Sequence, residues 1–208
     1  MVDYSASIAA PAKCFARAAR TLVKAFVEDN LAKLLTNHVH EPALKAKIDF
    51  SLYECYLKQH IAKGFFSNMM DAAYDKLWHI CDNVGQDKIF HGILPFLHDT
   101  AHRIFTTDKN LIGKGVFILV YMGSLAKARG KGNARIIFEY MFENYINLPG
   151  KNHVAYLESY SVNNIPIYNK FGFRMYENIV LGTKDVPNAK EGEDYAVVNV
   201  MIRGLFGL

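Results

Sequence analysis

Six consecutive residues, Arg129-Gly130-Lys131-Gly132-Asn133-Ala134, have the composition needed to hold an anion. Glycines let a backbone approach a phosphate closely, and successive N–H groups in such a turn form a concave nest. Lys127, Arg129, Lys131 and Arg135 add full positive charges around it. The next segment has apolar residues at Ala134, Ile137, Met141 and Tyr145, a spacing that predicts a helix with that face buried. The first N–H groups of a helix have no intrahelical partner and lie at the positive end of its dipole, so loop and helix start together suit a phosphate. Two nucleotide patterns do not fit. A Walker loop needs Gly-Lys-Ser/Thr, whereas Gly130-Lys131 is followed by Gly132-Asn133, with no hydroxyl for magnesium. The dinucleotide fingerprint G-x-G-x-x-G finds Arg135 at its last place.

Other residue types with chemical potential lead less far. His98 and His102 are four apart in His-Asp-Thr-Ala-His, but a zinc protease needs a glutamate after the first histidine, and no third ligand is evident. We assign no metal. Cys14, Cys55 and Cys81 are odd in number and widely spaced, which fits free thiols in a reducing compartment rather than a disulfide framework or zinc site.

The elements that must position the loop are readable on either side of it. Val116 to Met122 is an apolar run that predicts a buried strand leading into it. Beyond the helix, Val154-Ala155-Tyr156-Leu157-Glu158-Ser159 is a second strand-like run, followed by Asn164-Ile165-Pro166-Ile167-Tyr168-Asn169-Lys170-Phe171-Gly172-Phe173. Arg129, Gly132 and Ala134 meet the pattern Arg/Gln-x-x-Gly-x-Gly/Ala, and with it the chain resembles the GNAT N-acetyltransferase superfamily. The later order, Leu157-Glu158-Ser159 and then Asn-x-Pro-x-Tyr-x-Lys-x-Gly-Phe, is similar to the puromycin N-acetyltransferase-like branch, which carries Arg-Asn-x-Pro-x-Tyr-Glu-Arg-x-Gly-Phe. The two motifs stand at the family's distance from each other.

The resemblance implies an α+β protein with the GNAT acyl-CoA N-acyltransferase fold: a mixed central sheet splayed between strands 4 and 5, with helices on both faces. It implies acetyl-CoA in the resulting gap. The fourth strand is expected over Phe117 to Ser124, with Met122, Gly123 and Ser124 meeting the pantetheine. Arg129, Gly130, Lys131, Gly132, Asn133 and Ala134 are expected around the pyrophosphate. Asn164 matches a position that helps hold the cofactor, and Tyr168 matches the family's general-acid tyrosine beside the sulfur. Glu158 matches a residue that orients a water or the acceptor. One departure is Ala126, where the family often has proline. For a base, Tyr121, His79 and Glu54 stand beside Glu158 as candidates, and an ordered water relay is an alternative.

The rest of the chain supplies the scaffold. Tyr4 to Ile8 predicts a first strand, and Phe15, Ala18, Ala19, Leu22, Val23 and Phe26 repeat at helical spacing until Glu28-Asp29-Asn30 interrupts them. Leu31 to Leu35 starts a further helix, and Pro42 opens a longer one through Ile61. Ala-Phe-Val-Glu-Asp-Asn resembles the Ala-Phe-x-x-Asp-Pro segment of the same enzymes, whose first two helices wall the acceptor site. Gly64 to Tyr74 and Asp75 to Cys81 read as two strands, with Met69 and Met70 as core filler. Ile93, Leu94, Leu97, Ala101, Ile104 and Phe105 predict a helix within 83–115, in keeping with the helical insert of the puromycin-like branch. Phe173 to Val180 and Tyr195 to Ile202 predict strands around a polar loop from Gly182 to Asp194, expected to be mobile.

No repeat, linker or composition change divides the chain, so one domain is expected over 1–208. With 24 Lys and Arg against 20 Asp and Glu, the formal charge of +4 is mild, and no basic run interleaved with aromatics suggests nucleic acid. No signal peptide or membrane-length apolar run is visible, and a cytoplasmic protein is expected. The expected partner is a small-molecule amine acceptor, with neither nucleic acid nor membrane. Monomer and homodimer stay open. Two other readings compete: acetylation of a peptide or protein amine, and a non-catalytic acyl-CoA-binding GNAT protein.

Overall fold

The structure, a computed structural model, describes residues 12–63 and 73–204. Among these, four strands form one mixed sheet in the order β1-β2-β4-β3. They are β1 (Gly115–Leu119), β2 (His153–Ser159), β3 (Arg174–Gly182) and β4 (Tyr195–Arg203). β1 and β2 pair in parallel, from Gly115 opposite His153 to Leu119 opposite Leu157. β4 pairs antiparallel with both β2 and β3. A parallel pair needs a crossover, and α7 (Asn133–Met141), continued by a π turn over Phe142–Ile146, supplies it.

Alternation along the strands sends side chains to both faces of the sheet. Ala155, Leu157 and Met201 face one side, where Phe138, Phe142 and Ile146 pack with Phe173 and with Tyr168 and Phe171 at α8 (Ile165–Lys170). Val154, Tyr156, Val200 and Ile202 face the other, against Ile104 of α6 (Leu94–Thr107) and Leu111. Each buried Phe or Leu contributes roughly 1.5–3 kcal/mol of transfer free energy, so the stripe of three apolar residues on α7 and its π turn is enough to seat that crossover.

The periodicity of that helix requires a correction. The face through Ala134, Ile137, Met141 and Tyr145 is not the buried one: Ile137 is 51% and Tyr145 40% exposed, whereas Phe138 is 2% and Phe142 8%. Phe138, Phe142 and Ile146 also recur every four residues, and they hold more apolar area, so the aromatic stripe takes the sheet. The wider π turn keeps Ile146 on it.

The remaining helices form a second body of core. α1 (Ala12–Ala25), α2 (Asn30–Thr36) and α3 (Pro42–Lys63) match the predicted helical runs. Asp75 to Cys81, expected as a strand, is instead helix α4 (Tyr74–Ile80). Tyr74, Leu77 and Cys81 are buried at helical spacing, and a strand would have split them between two faces. The strands expected over Tyr4 to Ile8 and Gly64 to Tyr74 fall on or largely on residues outside those described, as do Met69 and Met70. α5 (Asn83–Gln86), a π turn over Asp87–Ile93 and α6 run on as one helical stretch, longer than the apolar repeat alone suggested. The loop between β3 and β4 is anchored at Asn37, whose Nδ2 donates to the Glu193 carbonyl at 2.6 Å.

Candidate active site

At the carboxyl ends of β1 and β2 the two strands stop pairing after Leu119 and Leu157, while β2 continues along β4 to Ser159. Val120 to Leu125 runs on outside any strand. The cleft beside this point is lined by Val120, Tyr121 and Met122 on one side and by Glu158, Ser159 and Tyr160 on the other. Asn164 and Tyr168 close it from α8, and Phe26 and Asp29 from the connection between α1 and α2. Thus Tyr168, Glu158, Asn164, Met122 and Tyr121, singled out in the sequence, lie around one space. Gly123 and Ser124 follow directly. His79 and Glu54 do not join them: His79 lies on the exposed side of α4, and Glu54 pairs with Lys58 at 3.4 Å.

The absence of a side chain at Gly123 decides how closely α1 approaches. A Cβ there would stand 2.9 Å from Cβ of Ala25 and 3.1 Å from atoms of Leu22 and Phe26. Glycine therefore lets the end of α1 lie against the chain after β1, which brings Phe26 over the cleft and starts α2 beside it. Asp29 is the N-cap of α2, and its Oδ1 accepts the Ala32 N–H at 3.0 Å. Ring contacts fill in behind: Tyr121 meets Phe26, Tyr53 and Tyr56 edge-on at centroid distances of 5.8, 5.3 and 5.2 Å.

The electrostatics are those of carboxylates taken out of water. Burial raises the Asp29 carboxyl to about 6, against the lowering effect of the backbone N–H groups of Ala32 and Leu31. Burial also raises Glu158, although its carboxylate accepts from the hydroxyls of Tyr156 at 2.6 Å and Tyr160 at 2.9 Å. Tyr168 is pushed up first by burial and then by the Asp29 carboxylate, so its phenol stays protonated at neutral pH. The Tyr168 ring is held edge-on to Phe138 and Phe173 at 6.2 and 6.1 Å. Its hydroxyl makes no hydrogen bond among the described residues.

The glycine loop is open toward solvent. Gly130 and Gly132 take φ of +74° and +78°, a region that favours glycine, and a Cβ at either would meet nothing within 4 Å. Gly132 is the N-cap of α7 and gives no side-chain cap, so the first N–H groups of that helix face outward. The loop is pinned from within: Arg129 Nε donates to the Ser124 carbonyl and Asn133 Nδ2 to the Ala128 carbonyl, each at 3.1 Å. Lys127, Arg129, Lys131 and Arg135 are exposed, with no carboxylate partner among the described residues. Ala134 is partly covered in the first turn of α7. This donor-rich, cation-ringed backbone fits a pyrophosphate.

From the sequence, Asp29 falls in the segment that resembles a wall of the acceptor site but reads only as a helix breaker, the tyrosines of the helix opened by Pro42 read chiefly as packing residues, and Tyr160 is not singled out. An acidic residue directly before an apolar helical repeat is a capping signal, and that signal could have marked Asp29. Nothing in the sequence pattern brings α3 aromatics to Tyr121.

No family model matches the chain. Its sequence is 29% identical over 196 residues to an uncharacterized N-acetyltransferase of Schizosaccharomyces pombe, an alignment covering 84% of this chain and 76% of that protein.

Proposed function

We propose that the chain moves an acetyl group from acetyl-CoA to the primary amine of a small molecule by direct transfer, with Tyr168 as general acid. The observation that carries the reading is the convergence of Tyr168, Asn164 and Glu158 on one cleft, beside an open, cation-ringed glycine loop at a helix start. Similarity to a protein named an N-acetyltransferase supports the same reaction class. So does the resemblance of both motifs to GNAT enzymes of the puromycin-like branch.

In this reading the N–H groups and cations from Arg129 to Ala134 hold the pyrophosphate, and the main chain from Met122 to Ser124 with Asn164 positions the pantetheine. Acetyl-CoA supplies the activated acetyl thioester. Transfer to an amine needs a neutral nucleophile, a stabilised oxyanion and a proton for the leaving sulfur. Tyr168, protonated and with its hydroxyl unengaged, donates that proton. Glu158, held by two tyrosine hydroxyls, orients the amine or the water that takes its proton. The wall of Phe26 and Asp29 narrows the acceptor side, which suits a small molecule better than an extended peptide.

Acetyl-CoA is expected to raise the thermal midpoint by mass action, with about 2.7 kcal/mol added at a hundredfold excess over Kd. Gly132→Glu, which puts a side chain and a negative charge at the loop, is expected to abolish the shift. Thiol release is then followed with a panel of small amines and amino-terminal peptides. No thermal shift at millimolar acetyl-CoA would overturn the reading, and turnover of the peptides alone would replace the small-molecule acceptor.

A further inference from the structure

Among the described residues the cleft is lined by two carboxylates, neutral polar groups, aromatic rings and aliphatic side chains, with no cation. Its lining includes two acidic residues, Asp29 and Glu158, and the tyrosines Tyr121, Tyr160 and Tyr168, and no Lys, Arg or His among the described residues. Asp29 has no side-chain partner among the described residues beyond its backbone cap. The hydroxyl of Tyr121 likewise has no hydrogen-bond partner among them, although the ring is packed by Phe26, Tyr53 and Tyr56. Burying a carboxylate without a positive partner is unfavourable, and the sequence could have supplied a lysine or an arginine here. The missing charge belongs to the ligand.

We propose that the acceptor amine binds as an ammonium ion, received by Asp29 against the aromatic wall of Phe26, Tyr53 and Tyr121, and that Asp29 is the residue that selects cationic acceptors. This rests on the function proposed above. An ammonium offers three donors and no acceptor, which complements a carboxylate and a partnerless phenol oxygen. Ring faces attract a cation further once water is excluded. An uncharged alcohol or amide of the same shape would leave the buried Asp29 carboxylate with no cation in contact, since Lys33 acts on it only from a distance and its Nζ is paired with Glu28, and is rejected for that reason. The ammonium must lose a proton before attack, and Glu158 lies across the same cleft to take it directly or through water. The neutral amine then attacks, the N–C bond forms as the C–S bond breaks, and Tyr168 gives its proton to the sulfur. The second proton lost by the nitrogen returns to Tyr168 through water, and the first leaves Glu158 for solvent, so that ammonium and acetyl-CoA give the amide, the CoA thiol and one proton.

The test uses calorimetry on the full chain saturated with CoA, which allows binding without turnover. Phenethylamine, tyramine and cadaverine are titrated at pH 7.5, with 2-phenylethanol as the uncharged counterpart of phenethylamine. Phenethylamine is expected to bind at least tenfold more tightly than the alcohol. Asp29→Asn keeps an N-cap and removes only the charge; it is expected to weaken amine binding roughly 10- to 100-fold, the worth of a charge-assisted hydrogen bond. Alcohol binding and the acetyl-CoA thermal shift are expected to stay unchanged. In turnover the loss appears in KM rather than kcat. Should Asp29→Asn fail to fold, Asp29→Ser, another capping residue, replaces it. Lowering the pH from 7.5 to 5 crosses the Asp29 pKa near 6 and is expected to weaken amine binding in the wild type but not in Asp29→Asn. The charged groups facing Asp29 in that window are Lys33, Glu191 and Glu158. Three results each overturn the proposal: equal affinity for phenethylamine and the alcohol, an unchanged amine affinity in Asp29→Asn, or no binding of any of the three amines. The acetyl-CoA shift separates these outcomes from a failure of the function itself.

Discussion

The two ends of β2 open onto opposite chemistries. At its carboxyl end is the narrow cleft with Asp29 and Glu158 and no cation among the described residues. At its amino end is a broad cavity of about 800 Å³, bordered by Lys151, His153, Lys170, Arg174 and Arg203 with no carboxylate in its lining. The larger space is the less specialised one. Arg203 lies 3.9 Å above the Phe142 ring and donates to the Phe171 carbonyl at 3.1 Å and to Asn147 Oδ1 at 2.9 Å. Arg174 donates to the carbonyls of Asn169 and Phe173. These guanidinium groups are occupied in closing the ends of α8, β4 and the π turn after α7. In the cleft Asp29, Glu158 and Tyr168 border one space, and burial displaces their protonation equilibria. Burial also lowers the Arg203 guanidinium at the basic end, so what distinguishes the cleft is that several displaced groups border one space there.

The comparison predicts effects of very different size at the two ends. Tyr168→Phe keeps the ring against Phe138 and Phe173 and deletes one hydroxyl. The turnover number is expected to fall roughly 10²–10⁴-fold with little change in folding or acetyl-CoA affinity. Steady-state thiol release checks this, and a wild-type rate across the pH range would return Tyr168 to a packing role. Gly123→Ala comes next. Its methyl would press on Ala25, Leu22 and Phe26, and overpacking of this kind costs about 1–3 kcal/mol. Urea denaturation is expected to show that loss, and amine binding is expected to weaken with it as α1 moves away from the cleft.

At the basic end, Arg203→Met removes the cation over Phe142 and two hydrogen bonds while keeping much of the aliphatic length. A loss of about 1–2 kcal/mol is expected in urea denaturation, with turnover per folded molecule within about twofold of wild type. A large loss of kcat with stability intact would break the contrast between the two ends. The smallest effect runs the other way. Asp29 has its folded pKa raised from 3.8 to about 6, so the folded state binds the proton more tightly than the unfolded state does. Stability therefore falls as pH rises from about 4 through 6, and the cost is complete above the folded pKa. That rise corresponds to about 3 kcal/mol, most of which the cost of burying the amide offsets, so Asp29→Asn is expected to stabilise the protein by about 1 kcal/mol at pH 7.5 and to flatten the thermal midpoint between pH 4 and 6.

Local chemistry was enough to read several elements. The glycine loop with its following helix, the strand from Val154 to Ser159, the two later strands and the helices α1 to α3 all announce themselves within a few neighbouring residues. Periodicity, capping residues and glycine depend on backbone sterics that act within a turn or two. Tyr168, Asn164 and Glu158 were legible as candidates because their motif lies in one continuous stretch. Asp75 to Cys81 misled because a short run of mixed polarity satisfies two periods, and the helix was chosen by the packing of Tyr74 and Leu77 against α3 and the π turn.

Which face of α7 is buried was likewise a contest between two stripes of the same spacing, decided by the sheet it meets. The acidic, aromatic character of the cleft belongs wholly to the tertiary structure. Phe26 and Asp29, Tyr53, Tyr121, Glu158 and Tyr168 come from five separate segments, and apart from the motif that links Glu158 with Tyr168 no pattern in the sequence joins them. Their protonation depends on water excluded by the assembled whole. The sequence by itself determined the helix starts, the turn conformations and the residue types available for catalysis, because those follow from contacts along the chain. The fold alone decided which of them meet and in what dielectric, because burial is a property of many segments at once.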